Sequence, residues 1–197
     1  MTDLTPSGVA AEEDDRPAVT VPLSVAGAAQ TRLLGTRLAG LLRRGDLVVL
    51  AGALGAGKTT LAAGIGAGLG VRGPVTSPTF VIARVHPSLT GGPDLVHADA
   101  YRLGSRLEVD DLDLDADLDH SVTVVEWGEG LVENLASGRL LVTITWPGPA
   151  FPPGPYAATP GGQDGPGDEV RNVVVTGFGA RWAAAADELR AVLAAPD

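Results

Sequence analysis

The chain has 197 residues, a formal net charge of −10, no cysteine and only 4 % aromatic residues. That length suits one α/β domain rather than two, and a cysteine-free chain excludes disulfides, a thiol nucleophile and Cys-type zinc sites. The acidic balance argues against gripping bare nucleic acid, which needs a cationic patch on the phosphates, so no DNA partner is expected and any role near RNA is expected to be indirect.

The N-terminus, MTDLTPSGVAAEEDDRPAV, is acidic where a signal peptide is basic and then apolar. No run of about 20 apolar residues follows, so a cytoplasmic protein without membrane contact is expected. Residues 1–18 are polar and aperiodic and are predicted to be a disordered tail. VTVPLSV (19–25) reads as a strand whose proline favours a sheet edge. AGAAQTRLLGTRLAGLLRRGD (26–46) sets Leu33, Leu34, Leu38, Leu41 and Leu42 at helical spacing, with Gly45 closing the helix.

DLVVLAG (46–52) is a short β-branched and leucine run, the form of a buried strand. GALGAGKTT (52–60) follows and fits G-x-x-x-x-G-K-[ST] through Gly52, Gly57, Lys58 and Thr59. In this pattern the backbone N–H groups of a loop such as Leu54, Gly55, Ala56 and Gly57 wrap phosphates, Lys58 reaches the β/γ-phosphates and the Thr59 hydroxyl binds Mg²⁺. TTLAAGIGAGLG (59–70) then reads as a helix whose free N–H groups and dipole face the anion. Lys58 is also the single lysine in a chain whose other basic residues are arginines.

Strands are predicted at TFVIARV (79–85), DLVHAD (94–99), SVTVVEW (121–127), GRLLVTITW (138–146) and EVRNVVVTG (169–177). A Pro/Gly-rich stretch (147–168) is read as a flexible insertion in a long hairpin, and Trp182, Leu189 and Leu193 share a face of a closing helix (180–195). The domain is therefore expected to span 19–146 and to be completed by 169–197.

A nucleotide cradle needs an acid on a neighbouring strand to hold the metal or its water, and a group that orients the nucleophile. Asp99 ends LVHAD and Glu126 ends VTVVE; each alone is also readable as a solvated strand end, but both in one chain beside a phosphate loop point to a site. His97, two residues from Asp99 and so on the same strand face, is either a site group or a hydrogen-bonded core histidine. Asp115, Asp117, Asp119 and Glu126 have EF-hand spacing, but His120 stands where the calcium loop needs glycine, so the acidic run is read as a solvated face.

GALGAGKTT (52–60), SPTF (77–80), HADAYR (97–102) and VVEWGE (124–129), in this order, resemble the TsaE (YjeE) family of ATPases in tRNA threonylcarbamoyladenosine biosynthesis. The resemblance covers about residues 19–146 and implies an α/β P-loop NTPase fold: a mixed, mostly parallel central sheet flanked by helices, with antiparallel strands at its edges. It implies ATP and Mg²⁺ as ligands and slow hydrolysis in support of a separate transferase, TsaD with TsaB, that modifies tRNA. It also implies that Thr60 supports the loop, that Asp99 and Glu126 serve as metal or water-positioning groups, that Trp127 lies near the γ-phosphate, and that Ser77 and Thr79 form a switch-like segment. The chain departs from the family at Ala53, where many members are acidic, and at Gly128, where many have proline; the latter predicts a looser turn after Trp127.

A GTPase would need a second lysine for N/T-K-x-D. A small-molecule P-loop kinase would rest on Arg84, Arg102 and Arg106, and a stand-alone nucleotide-dependent switch would need no fast hydrolysis.

Overall fold

A continuous apolar run such as LVVLAG is satisfied only where both faces of a strand are covered, and Leu47–Gly52 (β2) lies at the heart of a seven-stranded sheet. The computed structural model describes residues 16–78, 83–103, 118–146 and 169–195. Its other strands are β1 (Pro17–Ala26), β3 (Ala83–His86), β4 (Asp94–Asp99), β5 (Ser121–Glu126), β6 (Arg139–Thr145) and β7 (Val170–Phe178). Its helices are α1 (Gly27–Ala39), α2 (Lys58–Leu69), α3 (Gly179–Ala184) and α4 (Ala186–Ala194).

The sheet order is β1-β7-β6-β2-β5-β4-β3. The four central strands β6, β2, β5 and β4 run parallel, while β3 closes one edge and β7 and β1 the other, all antiparallel. This is the expected α/β P-loop arrangement, and the proline-bearing strand is indeed an edge. Residues alternate between two cores. Val48, Leu50, Leu95, Val122 and Val124 face the helices, whereas Leu47, Val49, Val96, Ala98 and Val125 pack under Val132 on the other side. The same alternation sends His97, Asp99 and Glu126 toward the α2 side of the sheet.

Two expectations about helices need correction. The first helix stops at Ala39 and is capped by Gly40, well before Gly45. Leu41 and Leu42 are buried as predicted, but in a turn in which their N–H groups bond to Leu38 and Ala39. Gly45 (φ 87°) instead turns the chain into β2 and donates its N–H to the Ser121 carbonyl. The closing helix is two helices broken at Ala185 (φ −97°, ψ 9°), yet Trp182, Leu189 and Leu193 are all buried. Residues 1–15, 79–82, 104–117, 147–168 and 196–197 lie outside the described residues. So therefore do most of the tail, the first half of TFVIARV, and Thr79, Arg106, Asp115 and Asp117, and the whole insertion. Among the described residues no helix is long and apolar enough to cross a membrane.

Helix α2 presents glycines to α1. A Cβ on Gly35 would lie 2.8 Å from the Ile65 nitrogen, and one on Gly64 would meet the Arg32 backbone at 2.9 Å. The two backbones are thus nearly in contact, which fixes the helix that begins at Lys58. Gly64→Val should force the helices apart and destabilise the chain by about 1–3 kcal/mol. Urea unfolding would read this as a lower midpoint, and an unchanged midpoint would refute the close approach.

Candidate nucleotide-binding site

The loop between β2 and α2 turns on glycines in left-handed conformations, Gly55 (φ 79°) and Gly57 (φ 113°), that side chains rarely adopt. Gly57 is the N-cap of α2, so the free N–H groups of that helix open onto the loop. A cleft of about 320 Å³ lies over them, walled by Leu54 and Thr60 on the loop side and by Asp99, Tyr101, Glu126 and Trp127 across from it.

Lys58 points back across the loop, its Nζ donating to the carbonyls of Gly52 (2.8 Å) and Ala53 (3.0 Å). The Trp127 ring covers the ammonium at 3.5 Å from its centroid, a cation–π contact strengthened by partial desolvation. Burial pushes the lysine pKa down to about 8, against the raising effect of Glu126 and Asp99. Trp127 is the one non-glycine residue with positive φ (62°) among the described residues. That backbone costs about 1–2 kcal/mol, and it swings the ring over Lys58 and to within 5.1 Å of the Tyr101 ring.

Asp99 and Glu126 are paired residues at the ends of adjacent parallel strands. Both are buried. The Thr59 hydroxyl donates to Glu126, 2.8 Å from Oε1 and 3.0 Å from Oε2. His97 Nε2 lies 2.9 Å from Glu126 Oε1. Asp99 accepts from the Tyr101 N–H at 3.0 Å and from the Ser77 hydroxyl at 3.4 Å. A hydroxyl beside two carboxylates is a hard oxygen set that suits Mg²⁺. The described residues hold no group of three or more His, Cys, Asp or Glu placed for a metal, so phosphate oxygens and water would complete the coordination. The residues fit the ion.

Nearly every predicted site residue converges here: Leu54, Gly55, Gly57, Lys58, Thr59, Thr60, Asp99, Glu126 and Trp127 all line the cleft. Ala56 does not. Its side chain is buried beneath the loop, and its N–H closes a turn on the Ala53 carbonyl at 3.2 Å. The turn after Trp127 is tight rather than loose. The Gly128 carbonyl accepts from the N–H groups of Leu131 and Val132, and a Cβ on Gly128 would stand 2.8 Å from both Val125 and Val132 side chains. Of the acids at calcium-loop spacing, Asp119 sits in a 3₁₀ turn before β5 and Glu126 ends that strand beside Thr59 and His97.

Sequence reasoning did not single out Arg171, which approaches the loop from β7 without lining the cleft. Its guanidinium is buried, stacks 4.5 Å from the Trp146 ring and lies 3.7 Å from where a Cβ on Gly57 would stand. No local signal marks its approach to Gly57, which stands more than a hundred positions earlier in the chain.

Residues 25–148 match the family model described as "Threonylcarbamoyl adenosine biosynthesis protein TsaE". The chain belongs to the TsaE family. It is 59% identical over 155 residues to the Streptomyces coelicolor "tRNA threonylcarbamoyladenosine biosynthesis protein TsaE", a match covering 78% of this chain and 95% of that one. The Mycobacterium tuberculosis protein of the same name is 53% identical over 121 residues, 58% of this chain and 72% of the relative. Among solved structures, that of Bacillus subtilis YdiB superposes with a TM-score of 0.63 at 27% identity, covering 86% of this chain and 93% of that one. Family membership thus agrees with the cleft, whose walls carry all four TsaE-like motifs apart from the part of SPTF outside the described residues.

The depressed Lys58 pKa has a definite sign. The folded chain disfavours the ammonium, a cost fully present below pH 8 and relieved as pH rises from about 8 toward 10.5. A neutral Lys58→Met variant escapes that cost. Its stability relative to wild type should therefore fall between pH 8 and 10.5, by no more than about 3 kcal/mol, as read by denaturant unfolding at both ends of the range. A pH-independent difference would contradict the buried ammonium.

Proposed function

We propose that the chain is an ATP-binding, slowly ATP-hydrolysing accessory protein of tRNA threonylcarbamoyladenosine biosynthesis, working in the cytoplasm and supporting turnover of the TsaD–TsaB transferase. The observation that carries this reading is the Thr59–Glu126 pair, 2.8 Å apart, beside the phosphate-loop lysine.

The N–H groups at the start of α2 receive the phosphates. Lys58 exchanges the Gly52 and Ala53 carbonyls for phosphate oxygens, a short swing of a side chain already in the cleft. Thr59, Asp99 and Glu126 would hold Mg²⁺, directly or through water, and the bound ion would neutralise charge developing on the phosphoryl oxygens. Glu126 or Asp99 would orient the attacking water. The Trp127 ring shields Lys58 and the γ-phosphate end from solvent. With a net charge of −10, contact with tRNA would run through the partner proteins. Of Arg84, Arg102 and Arg106, on which a kinase reading depends, the first two do not line the cleft and the third lies outside the described residues.

Titration calorimetry should find Mg²⁺-dependent ATP binding that Lys58→Ala abolishes. Above pH 8 ATP affinity should weaken by up to about tenfold per pH unit, because the bound triphosphate must restore one proton to Lys58. Glu126→Ala should spare binding and slow hydrolysis by about 10²-fold; hydrolysis at the normal rate would remove Glu126 from the role given to it. Turnover should rise when purified TsaD–TsaB is added, and an indifferent rate would point to a stand-alone switch.

A further inference from the structure

The Thr59 hydroxyl has one hydrogen, and its distances to the two oxygens of Glu126 differ by only 0.2 Å (2.8 against 3.0 Å). This contact alone does not select an oxygen. The last torsion of a glutamate is broad, so a carboxylate held only by Thr59 could rock about it. A second anchor is present. His97, 0% exposed on β4, reaches across the sheet from the position beside Val124 and meets Oε1 at 2.9 Å.

A carboxylate only accepts, so His97 Nε2 carries the hydrogen. The other ring nitrogen, Nδ1, is buried with no hydrogen-bond partner among the described residues. A histidine kept only to satisfy the core would be expected to use both nitrogens. This one leaves one nitrogen unpaired among the described residues and spends the other on the site carboxylate.

We propose that His97 is a positioning residue. Its Nε2–H pins Oε1 of Glu126, fixes the plane of the carboxylate and leaves Oε2 to work at the cleft. This rests on the hydrolytic reading above.

The side-chain amide nitrogen of glutamine can stand close to histidine Nε2, and that of asparagine close to Nδ1, so the two substitutions separate the donor from mere bulk. In the full chain, His97→Asn should lower kcat for ATP by about 10–100-fold while its KM for ATP and its thermal midpoint move little. His97→Gln should recover most of that loss. Equal activity of both variants, whether high or low, would overturn the proposal.

A second readout does not depend on turnover. Long-range ¹H–¹⁵N spectra of the wild type should show His97 as the Nε2–H tautomer, and Glu126→Leu should remove that preference. An Nδ1–H tautomer, or a tautomer indifferent to Glu126→Leu, would overturn the positioning contact even if asparagine prevents folding. Absence of ATP turnover in the wild type, with the tautomer as stated, would instead count against the hydrolytic reading and keep the contact.

Discussion

A carboxylate shut away from water is tolerated only where its oxygens are taken up by donors, and Glu126 meets that condition with groups from two other elements. Thr59 comes from the first turn of α2 and His97 from β4, while Glu126 itself ends β5. One side chain therefore ties the phosphate-loop helix to two parallel strands. The register between β4 and β5 sets Asp99 opposite Glu126, and both stand at the carboxyl ends of the central strands, where ligands of open α/β sheets bind.

The charge facing this acid is handled in the opposite way. Among the described residues Lys58 has no carboxylate partner in direct contact. It lies on two backbone carbonyls beneath an aromatic ring. These are weak competitors for an ammonium, and a polyanion of the kind proposed above would displace them. A strong ion pair here would hold the lysine against its ligand. The strained backbone at Trp127 is the counterpart of this choice, since strain is retained where a ring must stand at a place its strand would not otherwise put it.

Much of this was legible in the sequence for definite reasons. All seven strands announce themselves as bounded apolar or β-branched runs, and the loop from Gly52 to Thr60 carries its chemistry in consecutive residues. Helix ends were less legible. The leucine spacing continues through Leu42, because a 3₁₀-like turn can bury the same side chains that a further helical turn would. Ala185 breaks the closing helix in a run of alanines that offers no signal. Gly128 reads as looseness when proline is the expected residue, yet in space it is a glycine because Val125 and Val132 leave no room. The bond from His97 to Glu126, 29 positions apart, and the approach of Arg171 to Gly57 are products of strand order. Neither is written in any local pattern.

The single lysine has one more consequence. Acyl donors and other electrophiles that seek primary amines find one side chain of that kind in the entire sequence, and it lies only 4% exposed under Trp127. Among side chains, chemistry that elsewhere decorates a protein surface at random is here confined to the floor of this cleft. The surface arginines keep their charge against the same reagents, so an amine-selective label attached to a side chain of this chain marks the cleft alone.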